Sequence, residues 1–285
     1  MIRLPIICSE GIGDSLLVLG RVPIAVLGII GFRFNVFYQA TNKDHPAKKI
    51  LKPLIEETRF LRFTDREPST LEKRLFGKMM SLSQRLKKVH PLPLVRHKSA
   101  RGVPHDDANR KKRILIHTHL DGHHGWKGAT AKIWKIENWI SVIQSLHVSG
   151  YEISILEWDK EARGRIFHEC PFVSDLSDQG LLGICREMQK FVCVVSVDSW
   201  VKYVAAWGRI PQVILVPDLR NGYVPGFEKI EPRRIASWWF HGLLENPKIR
   251  VIGLEKIEGS YQYTLARLDD LQPDVLLSEI IRCMK

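Results

Sequence analysis

The chain of 285 residues is 45% hydrophobic and 26% charged, an ordinary globular composition that excludes a disordered chain, a collagen-like fibre and a small disulfide-stapled module. Its formal net charge of +12 is unevenly placed, because residues 71–113 hold thirteen Lys and Arg against three Asp and Glu and alone carry +10. The basicity therefore belongs to one segment and not to the whole fold.

The cysteines and the apolar runs indicate a cytoplasmic protein. The five cysteines are odd in number, widely spaced and without a Cys-x-x-Cys pair, which argues against a disulfide framework or a thiolate zinc site. The longest uninterrupted apolar run, residues 22–32, has 11 residues and is shorter than the ~20 that span a bilayer. The first residues do not resemble a signal peptide, since their apolar stretch is short and Glu10 follows at once.

The first half of the chain begins as a parallel α/β unit. A strand at residues 4–9, a glycine turn, a helix from Ser15, a strand at 34–39 and a helix at about 46–58 follow in that order. Ser69-Thr70-Leu71-Glu72 is a capping-box pattern that predicts a basic amphipathic helix to about residue 88. Prolines and a glycine then indicate a linker over residues 89–109.

The second half alternates strands and helices more regularly. Strands are predicted at residues 113–118, 152–158, 172–174, 191–197 and 212–216, and helices at residues 137–149, 160–168, 178–190 and 199–207. Repeated β-α-β units at this spacing predict a doubly wound parallel sheet with right-handed crossovers. Ligands of such sheets bind at the carboxyl ends of the strands.

Two segments at predicted strand ends carry candidate ligand contacts. In Gly11-Ile12-Gly13-Asp14, glycines let backbone amides approach an anion or a sugar, and Asp14 is either functional or a plain helix N-cap. The apolar strand that ends at Asp198-Ser199 leads straight into a helix, whose free amides suit a diphosphate. The alternative is that Asp198 and Ser199 only cap this helix, with Ala205 and Ala206 packing closely on the sheet.

A third segment is the loop after residue 118, which runs into Lys132-Ile133-Trp134. A lysine there faces the crevice and can neutralise a phosphate, whereas Trp134 and Trp139 are spaced as helix-packing core residues. The loop region also contains residue types that bind metals, although their spacing matches no zinc signature. These residues are His117, His119, Asp121, His123 and His124.

Together these segments resemble glycosyltransferase family 9, best known from the ADP-heptose lipopolysaccharide heptosyltransferases. That family has an early Gly-Asp turn, a mid-chain Lys-x-Trp with a second Trp, and a late Val-Asp-Ser/Thr-Gly turn followed by a histidine and paired alanines. The matching residues here are Gly13-Asp14, Lys132-Ile133-Trp134 with Trp139, and Val197-Asp198-Ser199 with Ala205-Ala206. Glu157-Trp158 and residues 271–276 match less closely, and the resemblance is continuous over residues 112–218.

The resemblance implies an α/β fold of the GT-B type, in which two Rossmann-like doubly wound domains face each other across a cleft, the N-terminal one being reduced. We place an acceptor-side domain at residues 1–110, of which 64–110 are a basic helix and linker. The nucleotide-sugar-binding domain is then residues 111–260, and residues 261–285 hold a closing C-terminal helix.

The implied activity is inverting, metal-independent sugar transfer, without a cofactor, from a nucleotide-diphosphate sugar to a glycan or anionic glycolipid in surface polysaccharide or lipooligosaccharide synthesis. An ADP-sugar is the favoured donor, and the lack of an Asp-x-Asp motif agrees with metal independence. Asp14 would be the general base, and Lys132 would stabilise the departing diphosphate. The expected donor contacts are Gly13, Asp198, Ser199, Trp200, Val201, Tyr203 and, by a looser match, Glu161.

The departures from the family pattern leave a rival interpretation open. Trp200 stands in place of a glycine, Tyr203 in place of the histidine, and Asp159 in place of the glycine after Trp158. These changes suit a non-catalytic GT-B-like protein that binds a nucleotide-sugar or a glycan.

The basic segment 71–113 is either a solvated face or a surface for anionic lipids or a phosphorylated glycolipid acceptor. The second alternative would place the protein peripherally on the inner membrane face. Nucleic-acid binding is not expected, because the segment has no recognised motif or interleaved aromatic residues.

Overall fold

The computed structural model describes residues 3–8, 12–39, 46–86, 112–118, 133–218, 220, 231–233, 236, 240 and 243–285. The side chains of residues 14, 46, 47 and 83–86 lie outside this description. Among the described residues, no helix is both long and apolar enough to cross a membrane.

The first half contains a parallel sheet of three strands in the order β1-β2-β3. Its elements are β1 (Arg3–Cys8), α1 (Ile12–Arg21), α2 (Ile24–Ile29), β2 (Arg33–Tyr38), α3 (Pro46–Glu56), β3 (Leu61–Thr64) and α4 (Thr70–Leu86). Because successive side chains of a strand point to opposite faces, Ile6 and Cys8 of β1 share one apolar face of the sheet with Phe34 and Val36 of β2.

The second half contains a parallel sheet of six strands in the order β6-β5-β4-β7-β8-β9. Its first elements are β4 (Arg113–His117), α5 (Ile136–Val148), β5 (Glu152–Leu156), α6 (Lys160–Glu169), β6 (Ser174–Asp175) and α7 (Gly180–Glu187). They are followed by β7 (Cys193–Val197), α8 (Val201–Trp207), β8 (Gln212–Leu215), β9 (Ile249–Ile252), a β10–β11 hairpin (Leu254–Ile257 and Ser260–Tyr263) and α9 (Pro273–Cys283). The predicted doubly wound parallel sheet is confirmed.

The six-stranded sheet is covered on both faces, which explains why its central strands are continuous apolar runs. On one face, Ile116 and Val195 pack in a cluster with Trp139 of α5 and Ile280 of α9. The other face belongs to a second cluster, in which Val194 and Ile214 join residues of the three-stranded sheet. Helix α1 packs against α8 and α3 packs against α7, so the two sheets share this second core.

The predicted capping box before α4 is confirmed. The Ser69 amide donates to Glu72 Oε2 at 2.8 Å, and the Glu72 amide donates to Ser69 Oγ at 3.3 Å. Arg66 donates two further hydrogen bonds to the same carboxylate, at 2.8 and 2.6 Å. These bonds, led by those from Arg66, lower the pKa of Glu72 to about 2.

Several predicted boundaries were wrong. Helix α1 begins at Ile12 and not at Ser15, so Asp14 lies within its first turn and is not the N-cap residue. Strand β5 ends at Leu156, which leaves Glu157 and Trp158 beyond the strand, and the helix predicted at 178–190 is a shorter α7 flanked by two 3₁₀ turns. The closing helix is α9, while residues 260–263 belong to β11. The domain boundaries themselves stay predictions.

Candidate functional site

The order of the six strands reverses between β4 and β7, which makes the crevice beyond their carboxyl ends the topological switch point. His117 ends β4 and lies in register with Leu156 of β5 and Ser196 of β7. The residues that follow these strands are Thr118, Glu157-Trp158 and Asp198-Ser199-Trp200. Thr118, where the loop towards Lys132 begins, and the Asp198-Ser199 turn therefore both lie at this edge.

Three aromatic rings cluster at the switch point. The His117 ring lies 5.3 Å from the Trp158 ring, centroid to centroid, and 6.4 Å from the Trp200 ring, and the two indoles are 6.0 Å apart. His117 Nδ1 donates to the Leu156 carbonyl at 3.0 Å, and burial lowers the pKa of this imidazole. Trp158 Nε1 donates to the Ser177 carbonyl at 3.1 Å, which fixes that indole in place.

Glu157 is a buried carboxylate that ties two strand ends together. It accepts hydrogen bonds from the Thr118 hydroxyl, beyond β4, and from the Asp159 amide at 2.8 Å. The Glu157 amide donates to Ser177 Oγ at 2.9 Å. Asp159 in turn caps α6 by accepting from the Ala162 amide at 2.8 Å, which gives the aspartate in the family's glycine position a structural role.

A buried ion pair that the sequence patterns did not predict lies at the amino end of α8. Lys202 Nζ donates to the Asp198 carboxylate, and the two side chains are 4% and 2% exposed, respectively. The ammonium also lies 4.7 Å from the Tyr203 ring and 4.8 Å from the Phe240 ring, measured to the centroids. The spacing of four residues was the only signal in the sequence, and it is common on solvated helices.

The remaining predicted donor contacts near α8 differ in accessibility. Ser199 and Trp200 are half-buried, and Ser199 Oγ accepts from the Val201 amide at 3.3 Å. Val201 and Tyr203 are buried in the core shared by the two sheets. A ligand at the switch point would therefore meet Trp200 and Ser199 before it met the side chains of Val201 or Tyr203.

A cavity of about 290 Å³ lies beside this edge, at the start of α5 and α6. Its charged lining residues are Lys135, Asp159, Glu161 and Arg165. This location brings Glu161, predicted as a donor contact, close to the residues that follow the Lys-x-Trp motif. The tryptophans themselves are core residues, because Trp134 and Trp139 are fully buried with their rings 5.0 Å apart and Trp134 Nε1 donates to the Leu271 carbonyl at 3.2 Å.

Other predicted site residues lie partly or wholly outside the described part of the chain. Lys132 is outside it, as are His119, Asp121, His123 and His124 of the alternative metal site. The backbone of Gly13 and Asp14 is described, but the side chain of Asp14 is not. Because α1 packs against α8, the first turn of α1 belongs to a helix that contacts the element following Asp198.

No protein-family model and no curated protein sequence matches the chain, but solved structures do. The ADP-heptose lipopolysaccharide heptosyltransferase II of E. coli matches with a TM-score of 0.60 at 14% identity, covering 100% of this chain and 98% of that one. The E. coli heptosyltransferase WaaC with ADP gives 0.58 at 15% identity, covering 99% and 100%. A glycosyltransferase family 9 protein of Veillonella parvula gives 0.56 at 10% identity, covering 99% and 97%.

These likenesses place the chain in a structural class. It has the α/β fold of the GT-B glycosyltransferases, with Rossmann-like parallel sheets. Within that class, its fold is that of the glycosyltransferase family 9 heptosyltransferases over its whole length. The resemblance drawn from the sequence is thereby confirmed at the level of the fold.

Proposed function

We propose that the protein is a glycosyltransferase of the heptosyltransferase type, which transfers a sugar from a nucleotide-diphosphate donor. The favoured donor is an ADP-sugar. The observation that carries the proposal is the fold likeness over the full chain to enzymes of this class. A second support is that Thr118 and Asp198 follow β4 and β7, the two adjacent strands that flank the switch point. Fold alone does not define an activity, so the proposal depends on this site as well.

The proposed reaction is metal-independent and inverts the configuration at the sugar carbon. Asp14 removes the proton from the acceptor hydroxyl, which then attacks the sugar carbon while the bond to the nucleoside diphosphate breaks. Lys132 stabilises the charge that develops on the departing diphosphate. The cavity beside Lys135 and Glu161 is large enough to take part of the donor and offers both a cation and a carboxylate. Such a carboxylate can accept hydrogen bonds from sugar hydroxyls.

The proposed acceptor is an anionic glycan or glycolipid, which places the protein in the cytoplasm and peripherally on the membrane. The charge of the segment 71–113 supports this, since it carries thirteen basic residues against three acidic ones. In the described part of α4, Lys73, Arg74 and Lys78 are exposed. Exposed cations beside an acceptor site favour phosphorylated or carboxylated substrates.

A second candidate function is non-catalytic binding of a nucleotide-sugar or a glycan. Two observations at the switch point favour it. The Trp200 indole stands beside His117, where the family pattern has only a glycine. Asp198 is engaged by a buried lysine. Both features reduce the space and the free polar groups available to a donor diphosphate.

The test combines ligand binding with turnover. Thermal unfolding of the full chain is measured with ADP-, GDP-, UDP- and dTDP-sugars, and the ADP-sugar should give the largest rise in Tm through binding linkage. Asp14→Asn should keep that rise while sugar transfer falls by roughly 10²-fold. Asp269→Asn, at an exposed carboxylate before α9, is the matched control and should change neither.

The outcomes separate the two candidate functions. Binding with no hydrolysis or transfer by the unmodified protein would support the non-catalytic alternative. Equal turnover by Asp14→Asn would show that Asp14 is not the base. A chain whose unfolding responds to no nucleotide-sugar would contradict the proposed transferase and leave only glycan binding of the second candidate function.

A further inference from the structure

Helix α2 presents aliphatic side chains to solvent. Val26, Ile29 and Ile30 are 60%, 78% and 65% exposed, although their neighbours Ile24 and Gly28 are buried. Their spacing of three and four residues places them on one side of the helix. Single exposed aliphatic residues are normal on protein surfaces, but a contiguous group of them at the tip of one element indicates an interaction site.

This tip is fixed to the amino edge of the three-stranded sheet. The Phe60 ring packs so closely on Gly28 that no Cβ would fit there. Arg33, the first residue of β2, donates from Nη1 to the carbonyls of Gly28 at 3.1 Å and Phe32 at 2.9 Å. Phe60 itself has a φ of 77°, an unfavourable conformation for a bulky residue that the surrounding contacts maintain. The exposed aliphatic group is therefore held by several contacts.

Four arginines lie at or next to the amino ends of the three strands, the edge to which the tip is fixed. The guanidinium groups of Arg33 and Arg59 lie over the Phe60 ring, 4.7 and 4.9 Å from its centroid. Arg3, in register with Arg33, and Arg62, beside Leu61, line a cavity of about 480 Å³ that Asp65 and Arg66 also line. No ion pair joins any of these arginines to a carboxylate elsewhere in the described part of the chain.

The described carboxylates that flank β3 in the sequence form ion pairs with other cations. At the end of α3, Glu56 pairs with Lys52 at 3.9 Å, and the following Glu57 pairs with Arg186 at 3.3 Å. Beyond β3, Asp65 pairs with Lys48 at 3.1 Å. The surface thus combines a small aliphatic tip with arginines at the amino edge of the sheet, none of which pairs with a carboxylate among the described residues. We call the tip and the four arginines the α2 edge surface; its members are Val26, Ile29, Ile30, Arg3, Arg33, Arg59 and Arg62.

We propose that the α2 edge surface docks onto an anionic lipid bilayer. The three aliphatic side chains enter the boundary between headgroups and acyl chains, while the arginines contact lipid phosphates. Guanidinium groups suit this contact because they bind phosphate in a bidentate manner and keep their charge. A second copy of the chain fits less well, since the like charges of two such surfaces would face each other across a symmetric interface.

The inference rests on the proposed function, which includes contact with a membrane. It adds that the α2 edge surface makes this contact. That surface lies outside the basic segment 71–113, to which the sequence pointed. Its members are also distinct from the residues assigned to donor binding or catalysis. Membrane docking and nucleotide binding can therefore fail independently, and the experiment measures both.

The test is co-sedimentation of the full chain with vesicles of phosphatidylcholine, with and without about 30% phosphatidylglycerol. The unmodified protein should bind the anionic vesicles at low salt and release them at high salt. Ile29→Ser/Ile30→Ser and Arg59→Glu/Arg62→Glu should each lower the partition coefficient about tenfold or more. The matched controls are Val148→Ser, an aliphatic residue 87% exposed on α5, and Lys256→Glu on β10, and both should bind as the unmodified protein does.

Each variant is checked for an unchanged Tm and unchanged nucleotide-sugar binding, so a loss of docking cannot be confused with misfolding or with failure of the proposed function. The inference is overturned if the unmodified protein binds no anionic vesicles, or binds neutral ones equally well. It is also overturned if only Arg85→Glu/Lys87→Glu/Lys88→Glu abolishes binding, because the contact would then lie in the basic segment. A dimer that Ile29→Ser/Ile30→Ser dissociates, seen by sedimentation velocity, would assign the surface to a second copy instead.

Discussion

The buried Asp198–Lys202 pair gives a prediction whose size follows from the structure. Lys202→Met keeps an unbranched side chain of similar length but removes the ammonium, and Asp198 is then left in surroundings where its side chain is only 2% exposed. Removing one member of a buried pair costs about 3–5 kcal/mol, because the remaining charge keeps its desolvation penalty without its partner. Against a typical total of about 5–15 kcal/mol, this is a large fraction of the free energy of unfolding.

The assay is urea unfolding at neutral pH, followed by circular dichroism in the absence of nucleotide. The control is Lys190→Met, since Lys190 pairs with Glu187 at 2.6 Å but its side chain is 59% exposed. That exposed pair should contribute less than about 1 kcal/mol. The double variant Asp198→Asn/Lys202→Met removes both charges of the pair and should regain most of the stability lost by Lys202→Met. The reasoning is refuted if Lys202→Met lowers the free energy of unfolding no more than Lys190→Met does. It is also refuted if the loss in the double variant equals the sum of the losses in Asp198→Asn and Lys202→Met measured separately.

Three other changes test the site and the first half of the chain. Trp200→Gly should open the switch-point crevice and raise the affinity for a nucleoside diphosphate several-fold by calorimetry, whereas a weaker affinity would mean that the indole contacts the ligand. Lys132→Ala should weaken diphosphate binding and slow transfer together, with Lys135→Ala as the control; a larger effect at Lys135 would show that the motif is aligned incorrectly. Because the pKa of Glu72 is lowered to about 2, its ionised form stabilises the fold above about pH 4.5, and that stability is lost as the pH falls towards 2. Glu72→Gln should remove this part of the pH dependence, which unfolding measured at several acidic pH values would show. The contribution of the surface Arg66–Glu72 pair to the free energy of unfolding should be below about 1 kcal/mol.

Local patterns in the sequence were sufficient for much of the fold. The uninterrupted apolar run at Cys193–Val197 predicted a central buried strand, and Ser69 with Glu72 predicted a helix start that the hydrogen bonds confirm. Helix α2 was missed, since six residues with an exposed apolar face resemble neither an amphipathic helix nor a strand. The short strand β3 and the β10–β11 hairpin were missed as well, because their pairing depends on partners and turns that periodicity does not show.

The candidate site was harder to predict from the sequence, because its contacts join residues that are far apart in the chain. Lys202 looks like one more surface lysine until Phe240, 38 positions later, is seen to lie beneath its ammonium. The aromatic cluster likewise joins His117, Trp158 and Trp200 from three strand ends whose order in the sheet had to be known first. Patterns located the segments of the site, while burial and pairing within it came from tertiary contacts.

The core shared by the two sheets bears on how the protein can be dissected. Residues such as Leu16 and Phe34 are fully buried in the same cluster as Val194 and Ile214, and Glu57 pairs with Arg186 across the same boundary. Cutting the chain within the basic linker would expose these apolar surfaces to water on both fragments, and a sheet of three strands is too small to compensate for the loss. Neither half is therefore suited to separate expression or crystallisation. A nucleotide-binding fragment would have to retain the first 60 or so residues as part of its own interior.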